Sequence, residues 1–137
     1  MLGIDPGERR IGVAVSDPQG VFAQPLETLE TRGLQSRKTL AKLHEIAKTY
    51  AVERIVVGLP RHMDGREGPE AERVRSFAAR LTQLSNLEVE LIDERWTSLE
   101  ARRLLRDSGV RARKQRGRID RIAASLLLQT WLDRRGP

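Results

Sequence analysis

Two turn signals near the start of the chain, Asp5-Pro6-Gly7 and Asp17-Pro18-Gln19-Gly20, constrain its fold more than any other feature. Proline presets the backbone for a reversal, and aspartate and glycine supply the conformations a tight turn needs. The runs they separate, Met1–Asp5, Arg10–Ser16 and Val21–Leu26, are too short for stable helices. The middle one alternates Ile11, Val13 and Val15 with small or polar residues, the two-residue period of a β-strand. The first quarter of the chain is therefore predicted to be a three-stranded antiparallel meander.

The period then changes. Leu40, Leu43, Ile46, Ala47 and Tyr50 recur at helical spacing within 34–50, and Arg54–Gly58 follows as a strand whose Ile55-Val56-Val57 core suits a central, parallel position. Pro60, Asp64-Gly65 and Gly68 mark a loop. Pro69 suits the first turn of a second helix that carries Val74, Phe77, Ala78 and Leu81, and Glu88–Ile92 reads as the last strand. Thr97 and Glu100 form a capping box for a helix closing near Gly109. The basic stretch 110–117 lacks an apolar period and is expected to be a mobile loop. A final helix is predicted beyond it, with Ile119, Ile122, Ala123, Leu126 and Thr130 on one face. No repeat, linker or low-complexity tract interrupts this order, so 1–137 is expected to be a single domain.

Three acidic residues fall at the ends of these elements: Asp5 after the first strand, Glu94 after the last, and Asp120 at the start of the final helix. Open α/β sheets bind ligands beyond the carboxyl ends of their strands, and carboxylates gathered there need a neutralising cation. Magnesium or manganese suits such all-oxygen donors and keeps ligand positions for water and phosphate, which points to phosphodiester chemistry. Asp93 competes with Glu94 on residue type alone, because neighbours at a strand end point to opposite faces. Asp5, Asp93 and Asp120 also have plainer uses: Asp5 can open a turn, Asp93 can pair with Arg95, and Asp120 can sit at a helix start for its dipole.

Charge supports a polyanionic partner. The 137 residues carry 25 basic and 19 acidic side chains, a net charge of +6 and a pI of about 10.7. The basic residues concentrate around Asp120, where Arg111, Arg113, Lys114, Arg116, Arg118 and Arg121 follow Arg102, Arg103 and Arg106. Carboxylates set within arginines suit a site that grips phosphates and cuts them. With no cysteine there is no disulfide, zinc-thiolate or thiol nucleophile to consider. No apolar stretch approaches the roughly 20 residues of a membrane span, and Met1 enters a strand without a leader-like apolar region, so a cytoplasmic location is expected.

The segments Asp5-Pro6-Gly7-Glu8-Arg9-Arg10-Ile11-Gly12-Val13-Ala14-Val15-Ser16-Asp17-Pro18, Ile55-Val56-Val57-Gly58-Leu59-Pro60, Met63-Asp64-Gly65, Asp93-Glu94-Arg95-Trp96-Thr97-Ser98 and Asp120 with Ala123-Ala124 together resemble the YqgF/RuvX family. The resemblance extends from Met1 to about Asp133. It implies a ribonuclease H-like α/β fold: a mixed five-stranded sheet, three antiparallel strands and then parallel ones, with helices on both faces. It also implies a metal-dependent nuclease, named in that family both for pre-16S ribosomal RNA processing at the 5′ end and for Holliday junction resolution. The family's catalytic and metal positions fall on Asp5, Glu94 and Asp120, which decides for Glu94 over Asp93. His62 and Arg66 depart from the residues expected there, a small amide and a small hydroxyl.

The nucleic-acid contacts expected on this reading are Arg10, Arg95, Arg111, Arg113, Lys114, Arg116 and Arg118. Gly7, Gly12 and Gly58 are expected to serve the backbone, through turns or close approach. Trp96 and Trp131 read as packing residues ahead of base-stacking ones, and His44 and His62 as solvated side chains. The Asp5-Pro6-Gly7 turn also resembles the phosphate loop of actin-like and sugar-kinase ATPases, but those need two such lobes. A silent RNA-binding factor would have no use for the three carboxylates. A precursor rRNA is the favoured partner and branched DNA the alternative; a monomer suffices for the first, and a homodimer suits symmetric cutting of the second.

Overall fold

The structure is a computed structural model that describes residues 1–62, 64–96 and 113–135, with only the backbone described at 96 and 113–116. Five strands form one sheet: β1 (Leu2–Pro6), β2 (Arg10–Ser16), β3 (Ala23–Glu30), β4 (Arg54–Leu59) and β5 (Glu88–Asp93). Their spatial order is β3-β2-β1-β4-β5. The β1–β2 and β2–β3 pairs are antiparallel, and β1–β4 and β4–β5 are parallel. Helices α1 (Arg37–Thr49), α2 (Pro69–Ser85) and α3 (Arg113–Arg135) cover the sheet, and a single 3-10 turn (Glu94–Trp96) follows β5.

Strand alternation sorts the core into two layers. Leu2, Ile4, Ile11, Val13, Ile55 and Val57 face α1 and α2, where Leu43, Ile46, Val74, Phe77 and Leu81 meet them. The opposite face turns Ala14, Val56 and Ile92 toward Ala124, Leu127, Leu128 and Trp131 of α3. Both sides of β4 are therefore covered, which is why Ile55-Val56-Val57 is continuously apolar and fully buried.

The sequence pattern erred in three places. Strand β3 begins later and runs further than 21–26. The Asp17 carboxylate accepts from the backbone N–H groups of Val21 and Phe22, at 2.7 and 2.8 Å, and this holds them in the turn. The strand continues to Glu30 because its pairing with β2 persists to Arg10, with an irregularity between Val13 and Ala14; Pro25 is accommodated because β3 lies at the sheet edge.

The second error is the mobile loop expected over 110–117, since α3 is already helical at Arg113. Arginine, lysine and glutamine are good helix formers, and a charged helical turn shows no apolar period to read. The third is the buried face of α3. Of that face Ala123 is buried as expected, but Ile122 and Leu126 are only half-buried, and the sheet instead buries Ala124, Leu127, Leu128 and Trp131. This helix carries apolar residues on more than one side, so periodicity alone does not choose between them. The helix predicted from Thr97 to Gly109 lies outside the described residues.

Candidate active site

Asp5 stands near the end of the central strand and, alternating with the inward Ile4, faces the α3 side of the sheet. Its lateral neighbour on β2 is Gly12, and on β4 the parallel register that pairs Ile4 with Val57 continues toward Gly58. Both neighbours are glycines, and each leaves room for one of the other two acidic residues. A Cβ at Gly12 would lie 1.9 Å from the backbone oxygen of Asp120, and one at Gly58 would lie 3.4 Å from Glu94 Oε2. Asp5 is thus flanked by the two points where Asp120 and Glu94 come down onto the sheet.

Separate local causes deliver each residue. Pro6 and Gly7 turn the chain immediately after Asp5; a Cβ at Gly7 would come within 2.4 Å of the Arg10 carbonyl oxygen, so the turn has no room for a side chain. Glu94 begins the 3-10 turn that ends β5. Asp120 is placed by the docking of α3 across β2 and β3, where the Thr28 hydroxyl donates to the carbonyl of Gly117 and Arg10 Nε donates to Asp120 Oδ2 at 2.7 Å. Arg10 and Gly12 share one face of β2, so this strand receives both the side chain and the backbone of Asp120.

Asp5 Oδ1 and Glu94 Oε2 are both buried carboxylate oxygens. Asp120 is turned toward Arg10, and among the described residues no three His, Asp or Glu side chains form a ready-made metal-binding group. The donors are hard oxygens, two of them buried at the carboxyl ends of parallel strands, and their chemistry fits magnesium or manganese.

Asp93 is occupied differently. Arg95 wraps its carboxylate, donating from Nε at 3.0–3.1 Å and from a terminal nitrogen at 2.6 Å, and the Arg95 backbone N–H adds a further bond at 3.0 Å. These bonds, with Arg61 nearby, hold the Asp93 carboxyl below its usual pKa even though partial burial opposes them. The guanidinium of Arg95 is correspondingly stabilised in its charged form. The same arginine approaches the loop after β4, within 3.6 Å of where a Cβ of Gly65 would lie.

Of the other expected nucleic-acid contacts, Arg118 is exposed on α3, and Arg113, Lys114 and Arg116 lie in that helix's first turns. Arg111 lies outside the described residues. Trp131 is 8% exposed, donates from Nε1 to Glu90 at 2.9 Å and stacks near Arg54 and Arg135, at the far end of the sheet from Asp5. It is a packing residue. His62 is exposed, and its backbone closes the turn to Gly65.

Sequence reasoning missed a cleft of about 470 Å³ bordered by Gly7, Glu8, Arg32, Pro60, Arg73 and Glu94. It joins the β1–β2 turn, the end of β3 and the start of α2. Nothing in their separate sequences announces that meeting.

The match to known proteins covers the same extent as the fold. Residues 1–134 match the family model described as "RuvX: Holliday junction resolvase". The chain belongs to the RuvX family. A relative from Anaeromyxobacter dehalogenans, 49% identical with 99% of this chain and 98% of its own length covered, is named "Putative pre-16S rRNA nuclease". So is one from Pelotomaculum thermopropionicum, 45% identical, with 99% and 88% covered. Thermus thermophilus RuvC shares the fold, with a TM-score of 0.53 over 98% of this chain and 96% of that one at 16% identity. The same protein in complex with a Holliday junction substrate gives 0.55, with 99% and 96% covered. The sheet of this RuvX-family chain is accordingly the ribonuclease H-like one that the family resemblance implied.

Proposed function

We propose that this protein is a divalent-metal-dependent nuclease that trims the 5′ end of precursor 16S ribosomal RNA. The observation that carries the reading is Asp5 flanked by Gly12 and Gly58, the two positions over which Asp120 and Glu94 descend. Asp5, Glu94 and Asp120 would hold magnesium or manganese. A bound ion of this kind supplies an activated water and neutralises charge on the attacked phosphate and the departing oxygen. The chain's own contribution is to fix the carboxylates on rigid elements and to set phosphate-binding groups near them, Arg10 beside Asp120 and Arg95 beside Glu94, while Arg113, Lys114, Arg116 and Arg118 make the start of α3 basic in sequence. Arg111 belongs to the same basic run in sequence.

The RNA reading draws on the names of relatives at 45–49% identity. Cutting a four-way DNA junction is the second reading, favoured by the family description and by the fold shared with a junction-bound RuvC. Incubating the purified protein and its Asp5→Asn variant with a precursor 16S rRNA fragment and with a four-way junction, with and without magnesium or manganese, separates the two. Metal-dependent cleavage of the RNA alone, absent in Asp5→Asn, is expected. Cleavage of the junction alone transfers the assignment to resolution, and metal-independent cleavage of either removes the mechanism.

A further inference from the structure

The side chain of Asp120 is already neutralised by a residue of the chain itself. Arg10 Nε lies 2.7 Å from Asp120 Oδ2, and the pair is partly sheltered, with side-chain exposures of 36% and 23%. The geometry is built in. Arg10 and Gly12 project from the same face of β2; the missing side chain at Gly12 admits the Asp120 backbone, which brings its carboxylate over the guanidinium. Thr28, the register partner of Gly12 on β3, fixes the preceding turn through the Gly117 carbonyl. Helix α3 is thereby anchored so that the Asp120 carboxylate faces Arg10. A carboxylate oxygen committed to a guanidinium at this distance cannot simultaneously offer the same lone pair to magnesium.

We infer that Arg10 is a resident counter-ion that holds Asp120 in position and competes with a divalent cation for its carboxylate. The inference rests on the metal-site reading of Asp5, Glu94 and Asp120 and adds to it a positioning residue with a measurable cost. A divalent cation on the same carboxylate and the guanidinium on Asp120 Oδ2 repel one another in a half-buried site, so metal loading weakens the Arg10–Asp120 pair. Metal affinity is thus set lower than the three carboxylates alone would give. The loosened guanidinium, still tethered to β2, stays beside the site, where it can donate to a phosphate.

Manganese binding, measured by titration calorimetry on the full chain without nucleic acid, tests this independently of activity. Arg10→Gln is expected to bind Mn²⁺ roughly fivefold more tightly than wild type, the effect of removing one half-exposed competing ion pair. Arg10→Lys, which keeps the charge, should stay near wild type. Arg9→Gln removes the same charge from an exposed neighbouring position and should change little. In an Asp120→Asn background the gain from Arg10→Gln should vanish. Arg10→Met, which keeps the packing of the stem, serves if the glutamine variant does not fold. Unchanged or weaker binding in Arg10→Gln and Arg10→Met, an equal gain in Arg9→Gln, or a gain that persists with Asp120→Asn overturns the inference while leaving the metal site standing. If none of the proteins binds Mn²⁺, the metal-site reading and the inference fall together.

Discussion

Gly12 lies directly beneath the backbone carbonyl of Asp120, so close that a methyl group on it would come to 1.9 Å of that oxygen. Backbone cannot yield as a flexible side-chain tip can, and this approach therefore sets how deeply α3 sits on β2. Gly12→Ala should destabilise the fold by about 2–3 kcal/mol through overpacking, and it should raise the Mn²⁺ dissociation constant by lifting Asp120 away from Asp5. Urea unfolding and metal titration on the same protein measure the two effects. A variant as stable as wild type would show that the helix does not rest on this strand.

Gly117 offers the opposite case. It lies inside α3, and an added Cβ would meet only ordinary contacts at 3.7 Å with Arg121 and Thr28. Glycine within a helix costs backbone entropy, so Gly117→Ala should stabilise the protein by about 0.5–1 kcal/mol. Thermal unfolding should show a raised Tm; a lowered one would mean that Thr28 needs the glycine's freedom to reach its carbonyl.

Substituting Asp5→Asn or Glu94→Gln should lower metal-dependent cleavage by about a thousandfold or more, with nucleic-acid binding nearly unchanged. Gel-shift and single-turnover cleavage assays check the two halves separately. Residual activity within tenfold of wild type in Asp5→Asn would remove Asp5 from the reaction.

Neutralising Arg111, Arg113, Lys114 and Arg116 together should weaken nucleic-acid binding and flatten its salt dependence. For a single strand, every phosphate that these side chains no longer neutralise reduces the slope of log affinity against log salt by about 0.7. Binding isotherms at several ionic strengths measure it. An unchanged slope assigns these residues to the solvated surface.

Asp93 predicts an acid-limb effect. Its carboxyl is held below the ordinary value of 3.8 chiefly by the Arg95 hydrogen bonds, so the folded protein binds this proton less tightly than the unfolded chain. The stabilisation is fully present above the unfolded value and is lost as pH falls through the depressed native one. Asp93→Asn should therefore be less stable than wild type near neutral pH, with the gap closing below about pH 4. Circular-dichroism melts from pH 7 to 3 would follow it, and a gap independent of pH would point to packing instead of charge.

The elements with one apolar face were readable in advance because their patterns are local. Strand β2 shows it in Ile11 and Val13, and α1 in Leu40, Leu43 and Ile46. Helix α3 shows where this ends: Ile122 and Leu126 are as apolar as Leu127 and Leu128, and only packing against Ala14, Val56 and Ile92 selects the buried pair. The start of α3 at Arg113 was hidden for a related reason, since a charged helical turn has no period to betray it.

The chain's linear order by itself determined the meander, the switch to parallel strands, the basic character and the candidacy of Asp5, Glu94 and Asp120. Those properties depend on residue type, turn chemistry and spacing, all of which act over a few neighbours. Only the tertiary structure decided that Gly12 and Gly58 flank Asp5 and that Arg10 holds Asp120, whereas the pairing of Asp93 with Arg95, two residues along, was legible in the sequence. Arg10 and Asp120 stand far apart along the chain, and no local pattern records a meeting made by laying a helix across a sheet.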